Sequence, residues 1–383
     1  MDPPDQQSSH SSAATSSLQP PASDSRSDHT ATPSITTSLS TPPSNDYKLK
    51  YQQPNVALEL DQWFSMVDRY GFFDQGLYTD DDEKKKQKEV ERSAKWATMS
   101  KPLMDNGFHD FEFTHKFIRR VYKGIPDIWR RDAWYYMCSN RWKDATHDLE
   151  LQAQYDTFKN TNTPSERQID LDIPRTMHNH IMFRQRYGSG QCNLFDVLRA
   201  LANYDEQVGY CQGMASVVAI LLMFYENDKA FMLLVHMFRR DDLHNLFISG
   251  FPALIRAFYI QEQLLIRYAA KLARHLDHLG ISTDMFATRW YITLFTGNVV
   301  NYSTLLRIWD LYFLHGFDVF YAASVALLLE IKGQLLVSDM EQAITLLGGT
   351  MAVNEDHYIY SVKKIFERSQ RYLPQLKSQP IPL

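Results

Sequence analysis

The sequence predicts an all-α fold, a multi-helix domain behind a disordered N-terminal tail, on three observations. Apolar residues recur at helical spacing over most of the chain beyond residue 95. No stretch sustains the period-two alternation of a half-buried strand. Of 383 residues, 44% are hydrophobic and 13% aromatic, with few glycines, which is apolar enough for globular folding over most of the length.

Taken in order, residues 1–46 are almost all Ser, Thr, Pro, Ala, Gln and Asp. Such a segment buries too little apolar surface to offset its ordering entropy, so it is predicted to be disordered. Thr32-Pro33 and Thr41-Pro42 stand either as sites for proline-directed kinases or as plain features of a solvated tail. Residues 47–119 read as a helical extension packing on the main domain, with Trp63, Phe64, Tyr70, Phe72 and Phe73 as the docking aromatics. Within it, Asp80/Lys84, Asp81/Lys85 and Asp82/Lys86 are spaced four apart with the acid first, which reads as a solvated helical face. Leu194, Val197, Leu198 and Leu201 then mark one helix, and Leu265, Tyr268, Leu272, Leu276 and Leu279 another, which Gly280 stops. Ala322 to Leu336 reads as one long apolar helical stretch, and residues 351–383 as a C-terminal helix and tail. No hairpin and no internal repeat are expected.

Several chemistries are excluded. A net charge of −5 does not suit wrapping a nucleic-acid backbone. Cys138, Cys192 and Cys211 are an odd number, lie far apart, and fit neither a zinc pattern nor a disulfide framework, which points to a reducing compartment. Cys211 has no histidine beside it to mark a nucleophile and reads as a small buried residue. The N-terminus lacks a signal-peptide pattern, and the longest apolar run, Met214 to Tyr225, falls short of the ~20 residues that span a bilayer. A soluble, intracellular chain is expected. There is no phosphate loop, no GxGxxG, no GxSxG, no HExxH and no kinase signature set, and His178/His180 and His275/His278 do not make a metal site. No cofactor is expected on this chain.

Four stretches stand out together and in order. They are Gly124-Ile125-Pro126 with Arg130 and Trp134; Ile169-Asp170-Leu171-Asp172-Ile173-Pro174-Arg175-Thr176; Gly209-Tyr210-Cys211-Gln212-Gly213-Met214; and Ala287 to Phe295, followed by Leu306-Arg307-Ile308-Trp309-Asp310. As an ordered set they resemble the TBC domain, the family of GTPase-activating proteins for Rab GTPases, over residues 120–350. The resemblance implies an all-helical domain with a groove, acting on a GTP-bound Rab by supplying two residues in trans. By position these are Arg175 of the IxxDxxR pattern, with Ile169 and Asp172, and Gln212 of the YxQ pattern, with Tyr210. The RxxxW pattern falls on Arg130 and Trp134; Arg131 stands where the family often has glycine. GTP and magnesium would be held by the partner, and the chain would be cytoplasmic, visiting membranes only through that Rab.

Local sequence adds an independent argument about Arg175. Asp172 is a good helix N-cap and Pro174 suits a first turn, so Arg175 is expected in a first turn, where the dipole disfavours a cation: a structural arginine would gain nothing there, whereas one aimed at a phosphate would use the location. The plainer alternative is a surface arginine paired with Asp172. Gln212, bracketed by Gly209 and Gly213, is expected on a tight loop before a helix beginning near Met214, or else is a polar turn residue. Arg130, Trp134, Trp290, Trp309 and Asp310 read as packing, with the added hypothesis that Arg130 and Asp172 together orient the catalytic loop. A GTPase-binding scaffold without turnover has no need of both Arg175 and Gln212, and a purely structural helical protein has no need of the ordered set.

Overall fold

Helix boundaries follow from capping and from proline and glycine. The computed structural model describes residues 66–73, 80–102, 108–139 and 145–381, and for 80–85 and 145–147 the backbone alone. The tail 1–46 with Thr32 and Thr41, the aromatics Trp63 and Phe64, and the side-chain pairing of Asp80/Lys84, Asp81/Lys85 and Asp82/Lys86 lie outside what is described.

The backbone of α1 (Asp80–Ala97) carries the charged run. After it, β1 (Lys101–Pro102) and β2 (His109–Asp110) pair antiparallel, against the expectation of no hairpin. Asn106-Gly107 between them is a dipeptide that favours hairpin turns, so the signal was present in the sequence. Thr114 caps α2 (His115–Tyr122) by accepting from the Phe117 N–H at 3.2 Å. In α3 (Asp127–Cys138), every residue from Asp132 to Cys138 is buried. Then come α4 (Ala145–Phe158), α5 (Glu166–Asp172), a 3₁₀ turn (Ile173–Arg175) and α6 (Ser189–Tyr204), whose Leu194, Val197, Leu198 and Leu201 all face the core. The next helix, α7 (Met214–Leu222), is apolar all round and, as such helices must be, almost wholly buried.

Four helices follow: α8 (Asn227–Asp241), α9 (Leu243–Phe247), α10 (Pro252–His278) and α11 (Thr283–Ile292). Ala269 breaks α10 with non-helical backbone, and Gly280, at φ +70°, follows its end. Asn301 caps α12 (Tyr302–His315) by accepting from the Thr304 N–H at 3.0 Å. The Ala322–Leu336 stretch is not one helix: it divides at Ile331 between α13 (Asp318–Glu330) and α14 (Lys332–Leu335). Asp339 and Gln342 form a capping box on α15 (Met340–Gly348), a device worth ~1 kcal/mol. The C-terminal region holds two helices where one was expected, α16 (Glu355–Ser369) and α17 (Leu373–Ser378).

Packing falls into two linked groups. Helices α4, α6 and α8 pack on one another with α7 against α6, while α13 is the centre of the other group and contacts α10, α12 and α16. α3 joins them by packing on both α12 and α8. The described residues, extension and C-terminal helices included, belong to one compact unit. Among the described residues no helix is long and apolar enough to cross a membrane.

Candidate functional site

The site grows from α5. Its start is held by a buried ion pair, Glu166 with Arg199 of α6 at 3.0 Å, and its inner face by Ile169 and, one turn on, Ile173, both fully buried. Pro174 has no N–H to return to the Asp170 carbonyl, so the α-helix tightens into the 3₁₀ turn. The Asp170 carbonyl instead accepts from Arg186, whose other nitrogen reaches the Asp170 carboxylate at 2.7 Å.

Asp172, 2% exposed at the end of α5, is the organising group. One of its carboxylate oxygens accepts from the Arg175 guanidinium and from Gln168 Nε2 at 3.1 Å. The other accepts from the Tyr210 hydroxyl at 2.6 Å. One buried carboxylate thus ties together two segments 38 residues apart. Burial, then the bond to the Asp172 carboxylate, pushes the Tyr210 phenol well above its usual range, so it stays protonated and donating.

Gln212 lies two residues beyond Tyr210, on the loop between α6 and α7. The loop turns at Gly209, φ +60°, and at Gly213, φ +113°, conformations that a side chain would strain. Gly213 leads directly into α7 at Met214, as the sequence suggested. The Gln212 side chain is exposed and has no hydrogen-bond partner among the described residues. Cys211 is half-buried; burial, then the Asp172 charge, raises its thiol to about 11, so it is no thiolate at neutral pH.

Two expectations are corrected. Asp172 does not cap a helix start: its backbone is helical, its side chain makes no capping bond, and Arg175 ends a helical segment rather than opening one. The dipole there favours a cation, so the electrostatic argument for Arg175 fails, although the pairing with Asp172 is present. Arg130 does not join Asp172 in orienting the loop. It donates to Asp310 Oδ1 at 3.0 Å, to the Ile125 carbonyl at 2.8 Å and to Asp127. Trp134 Nε1 donates to the same Asp310 oxygen at 2.9 Å, and the Ile125 N–H to the other at 3.1 Å. Arg130 and Trp134 therefore clamp α3 to α12. Arg131 is accommodated over the Phe108 ring, 4.5 Å from its centroid.

The sequence reading missed Gln168, although its place four residues before Asp172 was a usable signal. It also missed where the extension docks. Phe72 and Phe73 are buried as expected, but against the segment just past Arg175 and against Tyr302. Among the described residues no cluster of His, Cys, Asp or Glu is arranged for a metal.

Residues 127–336 match the Rab-GTPase-TBC domain. A TBC domain-containing protein of Schizosaccharomyces pombe is 37% identical over 73% of this chain and 68% of its own length. The Rab GTPase-activating protein tbc-11 of Caenorhabditis elegans is 34% identical over 62% of this chain. The human ecotropic viral integration site 5 protein homolog is 30% identical over 58%. The match spans only 25% and 26%, respectively, of these last two proteins. The crystal structure of the Ypt/Rab-GAP domain of Gyp1p shares the fold at TM-score 0.62 and 19% identity, over 74% of this chain and 99% of that one. A Chlamydomonas flagellar RabGAP TBC domain does so at 0.60 and 20%, over 80% and 99%. With more than half of its length matched to that domain and its helices in that arrangement, this chain belongs to the Rab-GTPase-TBC domain family.

Proposed function

We propose that this chain is a GTPase-activating protein that accelerates GTP hydrolysis by a Rab-type small GTPase, lending it Arg175 and Gln212 in trans. The observation that carries the reading is the Asp172 bridge, which gathers the arginine and glutamine segments while leaving both side chains exposed. Phosphoryl transfer to water spreads negative charge over the γ-phosphate and the leaving oxygen, and a planar guanidinium neutralises it with several hydrogen bonds. An arginine supplied in trans is worth about 10³–10⁵ in rate, roughly 4–7 kcal/mol of barrier. A neutral amide both donates to and accepts from the attacking water, which suits Gln212 to positioning it.

The Arg175 side chain is 57% exposed although its partner Asp172 is buried, so the guanidinium can turn outward from that carboxylate to a phosphate. Asp172 keeps Tyr210 and Gln168 when that happens. The chain is not a stand-alone hydrolase: nucleotide and magnesium belong to the GTP-bound Rab, and cytoplasmic location with transient membrane visits through that Rab follows from the same reading.

The test is single-turnover hydrolysis across a panel of purified Rab proteins, with wild-type chain, Arg175→Ala, Arg175→Lys and Gln212→Ala. Both arginine variants should abolish stimulation, because lysine keeps the charge but loses the planar fork. Gln212→Ala should lower the saturated rate by about two orders of magnitude with little change in half-saturation, the mark of an interaction made in the transition state. Near-normal activity of Arg175→Lys would overturn the arginine assignment, and an unchanged Gln212→Ala the glutamine one.

A further inference from the structure

The loop that follows Arg175 is held from outside the matched domain. Met177 sits at φ +48°, a left-handed conformation that costs a residue with a side chain ~1–2 kcal/mol and needs support from its surroundings. Upstream the loop is fixed by α5. Downstream its one side rests on α6, where the buried Gln191 Nε2 donates to the Phe183 carbonyl at 2.8 Å.

Its other side meets residues 68–73, which precede the family match at residue 127. Asp68 folds this segment into a tight turn by accepting from the Tyr70 and Phe72 N–H groups, each at 2.9 Å. The turn then pairs with the loop through three hydrogen bonds: Phe73 N–H to the Asn179 carbonyl at 2.9 Å, Ile181 N–H to the Gly71 carbonyl at 2.9 Å, and His180 Nε2 to the Tyr70 carbonyl at 2.8 Å. His180 Nδ1 accepts from the Met182 N–H at 3.2 Å, so Nε2 carries the proton and donates. The Phe72 ring lies edge-on to His180 at 4.8 Å and against Tyr302 of α12 at 4.9 Å. Arg69 anchors the far side of the turn on Glu89 and Asp127.

We propose that residues 68–73 are a strap that fixes the downstream end of the arginine loop, and that Phe72 and His180 are positioning residues for Arg175. The proposal rests on the reading of Arg175 as the residue lent to the GTPase. His180 is five residues from Arg175, too short a reach to absorb a displaced anchor. With the strap off, the guanidinium remains charged and exposed but is no longer held where the phosphoryl group must meet it.

Gly71 offers a probe that leaves the core untouched. It sits at φ +90°, and a Cβ there would lie 2.7 Å from His180 Nε2, so Gly71→Ala pushes the strap off the loop. The experiment uses the full chain and a responsive Rab, measuring the saturated single-turnover rate and the half-saturating concentration. Phe72→Ala and Gly71→Ala should lower the saturated rate about 10- to 100-fold, the scale of an ångström-sized misplacement, with half-saturation nearly unchanged. Phe72→Leu, which refills most of the site, should restore most of the rate. Leu347→Ala, a fully buried change in α15, should lower the melting temperature yet keep the rate. If Arg175→Ala retains activity, the reading of Arg175 falls and the strap with it. If Arg175→Ala is dead while Phe72→Ala and Gly71→Ala keep the saturated rate, or shift only half-saturation, the strap alone is overturned. It is also overturned if Leu347→Ala loses rate in the same proportion to its melting temperature.

Discussion

At the scale of single residues, Asp172 decides what the site can do. A buried carboxylate that accepts from three partners is fixed in place, and it fixes Arg175 and Tyr210 in turn. Tyr210→Phe removes one donor and keeps the ring, so the expected effect is on the site and not on the fold. Losing a hydrogen bond to a charged group costs about 1.5–3 kcal/mol, and if half or more of that is felt in the transition state the stimulated rate drops roughly 4- to 160-fold. Measuring the saturated rate alongside the melting temperature checks this; a large fall in melting temperature at unchanged rate would make the Tyr210–Asp172 bond purely structural. The family resemblance, carried by the IxxDxxR and YxQ patterns, made Asp172, Arg175, Tyr210 and Gln212 legible as a group. Their geometry was not. Pro174 suits a first turn by its sequence, but the buried face that Ile169 of α5 and Ile173 of the 3₁₀ turn share makes it part of a helix end.

Between elements, the same logic of buried charge separates Arg130 from the site. Arg130, Trp134 and the Ile125 N–H converge on Asp310, which is wholly buried, so α2's exit, α3 and α12 share one knot. Asp310→Asn leaves the buried Arg130 with only the partly exposed Asp127 as counter-charge, which costs up to about 3–5 kcal/mol. Urea unfolding should show that loss, whereas the saturated rate of the remaining folded protein should stay near wild type. A selective loss of rate at full stability would return Arg130 to the site.

His180 gives a second, pH-dependent expectation. Burial lowers its pKa, with the bond to the Tyr70 carbonyl and the Asp68 charge opposing. The unfolded chain therefore binds the proton first, and the stability that the neutral ring confers is complete above about pH 6.5 and lost as pH falls below it. Wild type should lose more melting temperature than His180→Gln between about pH 7.5 and pH 5.5, and equal losses would refute the assignment. Helices such as α6 were legible because their apolar spacing is the packing face itself. The β1–β2 hairpin was legible only through Asn106-Gly107, a local signal within a chain whose pattern is otherwise helical.

For the whole molecule, the question is how much of the chain the proposed activity needs. The ordered motifs spread the recognisable domain from residue 120 to 350, and the match to the family covers 127–336. Neither boundary includes residues 68–73, two of whose three hydrogen bonds to residues 179–181 join backbone atoms more than a hundred positions apart. Such pairing leaves no side-chain periodicity to read, which is why the sequence showed that the aromatics dock but not where. Two truncations separate the contributions. Removing residues 1–46 takes away a Ser/Thr/Pro-rich stretch with almost no apolar surface, so melting temperature and stimulated rate should both stay at wild type. Removing residues 1–73 also takes away Tyr70, Phe72 and Phe73, and should lower the saturated rate by at least about tenfold while the helical domain still melts cooperatively. A loss already complete at the first truncation would place the requirement in the tail and refute this division. Full activity after the second would show that α5 and α6 hold the arginine loop without help.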